Sequence, residues 1–413
     1  MTLFDFGLVG LGVMGRNFLL NVADHHFSVI GLDRDDQKVA DLIYEAQSNN
    51  IEGTLDKVKF VEKLARPRKI MLLVPSGDAV DRVIADLLPL LNQGDLIIDG
   101  GNSHFEDTNR RLNTLKANNI YFMGIGVSGG SEGARKGPSI MVGGDHKAYE
   151  LIKPVFEAVA AKISNEPCVD FLGQGSAGNY VKMIHNGIEY ALMQLIGESY
   201  HIMKLGLQLD NNQLKKIYRL WNQGDLQSFL IEITSQIFGK SDEFTAGDLI
   251  DQILDKAKQK GTGKWTSQNG MNLGVAIPTI DAAVSMRQIS GMKSTRMKVS
   301  EKYLFEAQES IFEISVEEIK DALYFAFIIS YAQGMDLLCR ASKEYQYNLN
   351  LECIAKIWRG GCIIRARFLE DIRLAYKNNP TLESLLLSPV IVGKINDIIG
   401  STRKVVQYTV SKG

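Results

Sequence analysis

A chain of 413 residues with 45% hydrophobic and 23% charged residues has the balance of a soluble globular protein and is long enough for two domains. Its formal net charge of −2 gives no broad electrostatic reason to expect nucleic acid or a membrane surface as partner. Any bound anion must therefore be held by local clusters of Lys, Arg and backbone N–H groups. Asp5 interrupts the first apolar stretch and no basic region precedes it, which argues against a signal peptide. No apolar run is expected to reach membrane-spanning length, since 322–333 is broken by Ser330 and Gln333. Cys168, Cys339, Cys353 and Cys362 have neither metal-ligand nor redox spacing and read as small buried hydrophobes in a reducing cytoplasm.

In chain order, the stretches 6–9, 28–32, 70–74, 96–99, 121–127 and 139–142 predict strands, with amphipathic helical patterns such as 80–91 and 107–116 between them. That rhythm is the βαβ alternation of a parallel sheet covered by helices. A glycine-rich break at 173–179 follows, after which the chain reads almost wholly as helix, as at 180–205, 214–221 and 323–340. The expected layout is α/β then all-α: a dinucleotide-type domain over 1–176 and a large helical domain over 177–413.

Gly10-Leu11-Gly12-Val13-Met14-Gly15 forms a GxGxxG between a strand and a helical pattern. Gly10 permits the tight turn, Gly12 lets a pyrophosphate approach the backbone, and Gly15 lets helix and strand pack closely. Asp33 stands where a carboxylate binds the adenosine ribose 2′-OH, whereas the next residue, Arg34, can pair with a 2′-phosphate. The two residues point in opposite directions, so NAD and NADP both stay open, with Asp33 leaning towards NAD. Val74, at the end of the third predicted strand, and Asn102 complete the candidate cofactor contacts.

Four segments carry candidate chemistry. Gly100-Gly101-Asn102-Ser103 follows a strand at the carboxyl edge of the sheet, where open α/β sheets bind ligands. Ser128, Gly129 and Gly130 offer a hydroxyl and backbone N–H groups suited to a carboxylate. Lys182, His185, Asn186 and Glu189 are spaced so that all four share one face of an otherwise apolar helix. A Lys and a Glu two turns apart on a buried face are a natural general base and general acid, provided desolvation or positive charge favours the neutral amine. The bland alternative is a solvated face with an incidental Lys–Glu pair. Lys260-Gly261-Thr262-Gly263-Lys264-Trp265, with Arg287, would suit a phosphate monoester, although a plain helix cap gives a similar pattern.

With GLGVMG (10–15), IDGGNS (98–103), GVSGGSEGAR (126–135), KMIHNGIEY (182–190) and ILDKAKQKGTGKWT (253–266), the chain resembles the 6-phosphogluconate dehydrogenase family along nearly its whole length. That resemblance implies a Rossmann-type doubly wound sheet, a large helical domain, a homodimer built through the helices, and a place in the pentose phosphate pathway and gluconate use. It implies a phosphorylated sugar acid as substrate, with NADP the cofactor the family favours. It also implies that Lys182 takes the proton of the substrate 3-hydroxyl and that Glu189 protonates C1 after loss of CO2. Asn186 and His185 would hold hydroxyls, Asn102, Ser128, Gly129 and Gly130 the carboxylate end, and Tyr190, Lys260, Thr262 and Arg287 the phosphate.

Three departures accompany the resemblance. Asp33-Arg34-Asp35 stands where the family usually has Asn-Arg-Thr, and Pro75 where many members have Lys. The family normally continues some tens of residues beyond the point where this sequence stops, into a tail that gives the partner's phosphate site an Arg and a His; a chain lacking that tail is expected to bind substrate weakly and dimerise less stably. Two rival readings remain, another β-hydroxyacid dehydrogenase such as one acting on 3-hydroxyisobutyrate, and a non-catalytic NAD(P)-binding protein. The first would be shorter and lack the KGTGKW loop; the second would have no use for Lys182, Asn186 and Glu189 together.

Overall fold

The computed structural model describes residues 3–46, 50–303 and 313–412. Strands and helices alternate through β1 (Phe6–Val9), α1 (Val13–Asp24), β2 (Val29–Leu32), α2 (Asp36–Glu45), β3 (Ile51–Thr54), α3 (Lys57–Glu62), β4 (Lys69–Leu72) and α4 (Asp78–Leu87). They continue through β5 (Leu96–Asp99), α5 (Phe105–Lys116), β6 (Tyr121–Ser128), α6 (Gly130–Lys136), β7 (Ser139–Gly144) and α7 (His146–Val159). A small hairpin, β8 (Lys162–Ile163) with β9 (Glu166–Pro167), leads into β10 (Val169–Gly173). From there on the described elements are helical: α8 (Ala177–His201), α9 (Asn211–Trp221), α10 (Phe229–Ile237), α11 (Thr262–Leu273), α12 (Pro278–Gly291), α13 (Lys293–Ser300), α14 (Val316–Glu344), α15 (Leu351–Trp358), α16 (Phe368–Asn378) and α17 (Pro389–Lys412).

The main sheet has the order β10-β7-β6-β5-β4-β1-β2-β3 and is parallel except where β7 runs against β6. β1 pairs with β2 on one side and β4 on the other, so the chain reverses its direction of travel across the sheet at that point. This is the doubly wound Rossmann arrangement, whose ligands bind where the strand order reverses, beyond the carboxyl ends of the strands. Alternate residues of β1 and β4 enter opposite cores, Phe6, Leu8 and Met71 on the face covered by α1 and α7, and Val9, Ile70 and Leu72 on the face covered by α3 and α4.

By packing, the chain divides into one unit of Met1–Met183 with Ala341–Ile363 and another of Ile184–Arg340 with Ile364–Gly413. The first unit thus holds more than the stretch 1–176, because α15 returns to the sheet. Ser139 Oγ donates to the Ile357 carbonyl at 2.8 Å, and Lys356 Nζ meets Asp170 Oδ2 at 2.9 Å.

The second unit is helical. Among the described residues α14 is the one helix long and apolar enough, by length and composition, to cross a membrane, and 61% of its most apolar window is buried in the protein. The expectation that no apolar run reaches that length is corrected here, since the helix extends to 316–344 rather than 323–340. Its polar interruptions are satisfied inside the unit: Ser330 Oγ donates to the Ala326 carbonyl at 2.8 Å and Gln333 Nε2 to Thr279 Oγ1 at 3.0 Å.

Candidate active site

β1 delivers the chain into Gly10 at φ +100°, where a Cβ would stand 2.5 Å from the Leu73 carbonyl oxygen. A Cβ on Gly15 would stand 1.9 Å from the Gly10 carbonyl oxygen, so α1 can lie against the turn only with glycine there. Gly12 caps α1 without a side-chain hydrogen bond, and no heavy atom lies within 4 Å of where its Cβ would be. The free N–H groups of the first turn therefore border open space, the cradle a pyrophosphate needs. The buried Leu11, the exposed Val13 and the half-buried Met14 complete this turn, and Val74 lies beside it.

Asp33 behaves otherwise than its position suggests. Its Oδ2 accepts the Leu11 N–H at 2.7 Å and its Oδ1 the Asp35 N–H at 3.1 Å, while Lys38 Nζ lies 3.9 Å from Oδ1. A short side chain directly after β2 finds two backbone donors within reach, so the carboxylate braces the glycine turn. Arg34 beside it is exposed.

Beyond β5, Asp99 is fully buried and organises the Gly100–Ser103 loop. Its Oδ1 accepts the Gly101 N–H at 3.1 Å and its Oδ2 the Ser103 hydroxyl at 2.7 Å. Arg111 of α5, itself buried, donates to Asp99 Oδ2 at 3.2 Å, to both oxygens of Asp81 at 2.8 and 3.1 Å, and to the Gly77 carbonyl at 3.0 Å. One guanidinium thus ties the loop after β4 to the loop after β5. Burial pushes the Asp99 carboxyl above its ordinary range despite Ser103 and Arg111. Hydrogen bonding from Arg111 holds Asp81 well below that range. Asn102 projects from this loop as an exposed residue, and Ser128, buried at the end of β6, is followed by Gly129 and Gly130 at positive φ. Sequence reasoning missed Arg111 and Asp81, whose roles depend on partners distant in the chain.

α8 carries the central residues. Lys182 is 7% exposed, His185 0% and Asn186 8%. A Cβ on Gly126 would stand 2.4 Å from Lys182 Cβ, so the bare strand β6 lets the helix settle against it. Lys182 is thus a buried amine held against β6.

Within the second unit, His185 Nδ1 lies 3.1 Å from Asn186 Oδ1 and 3.9 Å from Glu189 Oε2. Asn186 Nδ2 donates to Thr262 Oγ1 at 3.3 Å. Thr262 opens α11, whose N-cap Gly261 has φ +99° and no side-chain bond. The Arg287 guanidinium carbon sits 4.3 Å above the Tyr190 ring, and the same guanidinium donates to the Lys258 carbonyl at 2.8 Å. Gly263 must lack a Cβ because one would meet the Tyr190 ring at 2.6 Å. Thus Asn186, Tyr190, Thr262 and Arg287 gather around a helix N-terminus, a combination able to hold a phosphate. Lys260 lies exposed on the loop before α11.

The family model for the NAD binding domain of 6-phosphogluconate dehydrogenase matches residues 5–173, and the one for the 6-phosphogluconate dehydrogenase C-terminal domain matches 178–413. An NADP(+)-dependent, decarboxylating 6-phosphogluconate dehydrogenase of Bacillus subtilis is 46% identical over 420 residues, covering 100% of this chain and 89% of its own length. A decarboxylating 6-phosphogluconate dehydrogenase of Synechocystis is 48% identical, covering 100% of this chain and 87% of its own. The solved structure of Plasmodium falciparum 6-phosphogluconate dehydrogenase is similar with a TM-score of 0.94 at 42% identity, covering 98% of this chain and 88% of that one. A Salmonella typhimurium 3-hydroxyisobutyrate dehydrogenase, at 20% identity and a TM-score of 0.53, shares the fold. With both halves matched by its models and full-length relatives at this identity, the chain belongs to the 6-phosphogluconate dehydrogenase family.

Proposed function

We propose that this protein oxidises and decarboxylates 6-phosphogluconate to ribulose 5-phosphate and CO2 with reduction of NAD(P)+, NADP+ being favoured. Full-length identity of 46% and 48% to decarboxylating 6-phosphogluconate dehydrogenases carries this reading. The glycine turn with its uncapped helix fits a dinucleotide, and the exposed Arg34 suits a 2′-phosphate. Bound cofactor supplies the acceptor for the hydride that leaves C3 of the substrate.

The residues of α8 supply the proton chemistry. Neutral Lys182 accepts the proton of the 3-hydroxyl as the C3–H bond breaks, giving a 3-keto acid. Cleavage of the C1–C2 bond then releases CO2, and its electron pair forms the enediol while Lys182 returns a proton to the C3 oxygen. Glu189 protonates the former C2, which becomes C1 of ribulose 5-phosphate, while Lys182 takes back the C3 hydroxyl proton as the carbonyl re-forms. Asn186 and His185 hold hydroxyls, and Asn102, Ser128, Gly129 and Gly130 hold the carboxylate end. Tyr190, Lys260, Thr262 and Arg287 hold the phosphate, a role supported by the Asn186–Thr262 and Tyr190–Arg287 contacts in one unit.

The protein works as a homodimer joined through its helical unit, a reading supported by the exposed Met286, Ile289, Met292, Met297 and Val299 of the α12–α13 region. A cytoplasmic setting is supported by four free thiols, three of them buried. Purified protein given 6-phosphogluconate, unphosphorylated gluconate or 3-hydroxyisobutyrate should reduce NADP+ rapidly with the first alone. Comparable rates with 3-hydroxyisobutyrate would replace the reading with a broader β-hydroxyacid dehydrogenase.

A further inference from the structure

We infer that Asn179 is a positioning residue for this reaction: its buried carboxamide fixes the turn of α8 that carries Lys182 to the loop that carries Asn102. The inference rests on the function proposed above, while the tether itself is a matter of geometry within the first unit.

Asn179 is 2% exposed, and its polar atoms are all engaged. Nδ2 donates to the Ile125 carbonyl of β6 at 3.2 Å and to the Gly101 carbonyl at 3.3 Å. Oδ1 accepts from Thr108 Oγ1 of α5 at 2.9 Å. The single Thr108 hydroxyl proton has a second acceptor, the His104 carbonyl, at 3.3 Å, and the shorter contact to Asn179 is the better bond. Both N–H donors meet carbonyls and the oxygen meets a hydroxyl, so one amide orientation satisfies the site.

Two periodicities coincide here. Asn179 precedes Lys182 by three residues and so lies on the same side of α8. Gly124 and Gly126 are two apart on β6 and face the same way. A Cβ on Gly124 would stand 2.1 Å from Asn179 Oδ1, and one on Gly126 would stand 2.4 Å from Lys182 Cβ. The bare strand thus receives the amide at one position and the catalytic lysine at the next. Gly101, which the amide also holds, is the residue before Asn102. The base and a residue proposed to hold the substrate therefore share one anchor, and a slip of an ångström between such groups costs about a hundredfold in rate.

The test compares Asn179→Ala with wild type by steady-state kinetics, by the primary deuterium isotope effect with substrate deuterated at C3, and by amide hydrogen exchange. The expected result is a kcat lower by about a hundredfold, an increased isotope effect and an unchanged KM for NADP+. Exchange should accelerate at residues 100–103 and stay slow in β1 and β2. Should Asn179→Ala not fold, Thr108→Val removes one bond of the set and should show the same pattern at a several-fold level. Wild-type kcat with wild-type exchange at 100–103 in either folded variant would overturn the inference. Faster exchange throughout the sheet with kcat intact would also overturn it, marking Asn179 as structural only. The exchange measurement needs no turnover, so it judges the tether even if the reaction were another.

Discussion

The Asp33 carboxylate accepts the backbone N–H of Leu11 at 2.7 Å, so the residue after β2 holds the glycine turn after β1. With its other oxygen on the Asp35 N–H, this carboxylate is committed to the protein backbone, and Lys38 offsets part of its charge. An acid at this place therefore does not by itself select NAD.

Arg34→Ala is predicted to lower kcat/KM for NADP+ roughly ten- to a hundredfold, the worth of a charge-assisted bond to the 2′-phosphate, and to leave NAD+ nearly unaffected. Asp33→Ala should impair both cofactors alike, because the glycine turn loses its brace. Parallel kinetics with the two cofactors check both statements. Equal losses of NADP+ and NAD+ in Arg34→Ala would remove the 2′-phosphate role.

Arg111 is the buried link between the loops after β4 and β5. Arg111→Met should cost about 3–5 kcal/mol of stability, because Asp99 is left as an unpaired buried charge. Adding Asp99→Asn should recover part of that loss. Urea unfolding of the single and double variants measures both effects. A single variant as stable as wild type would show that the ion pair contributes no net stability.

Asp255 lies ahead of the Lys260 loop, where hydrogen bonds from Lys293 and then Arg296 hold its carboxyl at about 2, below the ordinary 3.8. A folded-state value below the unfolded one means that the clamp contributes in full above about pH 4 and is lost as pH falls through about 2. Fluorescence of Trp265, measured in a variant with the other tryptophans replaced, should report loop release in that acid window. In Asp255→Asn the transition should vanish and the KM for 6-phosphogluconate should rise several-fold at neutral pH, with the KM for cofactor unchanged. An unaltered acid transition in the variant would assign it to other groups.

On the proposed mechanism Lys182 and Glu189 have separable tasks. Lys182→Ala should lower kcat by about 10²–10⁴, the usual worth of a positioned general base. Glu189→Gln should still give a first-turnover burst of reduced cofactor and then turn over slowly, since protonation follows hydride transfer. Stopped-flow absorbance resolves the burst. Its loss in Glu189→Gln would place Glu189 before the redox step.

Much of this was legible in the chain because the signals are local. β1 and β5 are short apolar runs closed by glycine turns, and the α8 face follows from helical spacing alone. β3, Ile51–Thr54, escaped prediction because Glu52 and Gly53 break the apolar pattern of this edge strand. β10 escaped because Asp170 interrupts it, its charge being met by Lys356 far along the chain. Arg111 and Asn179 looked like ordinary helix residues, since their meaning lies in carbonyls and carboxylates on other elements. Asp33 was misleading for the same reason: its position was visible, its hydrogen bonds were not.

The most direct test of the central claim uses 6-phosphogluconate labelled at C1, with NADPH and released CO2 followed together in one reaction. One labelled CO2 per NADPH, with ribulose 5-phosphate as the product, is the predicted result. NADPH without labelled CO2, or no reduction at all, would contradict the oxidative decarboxylation.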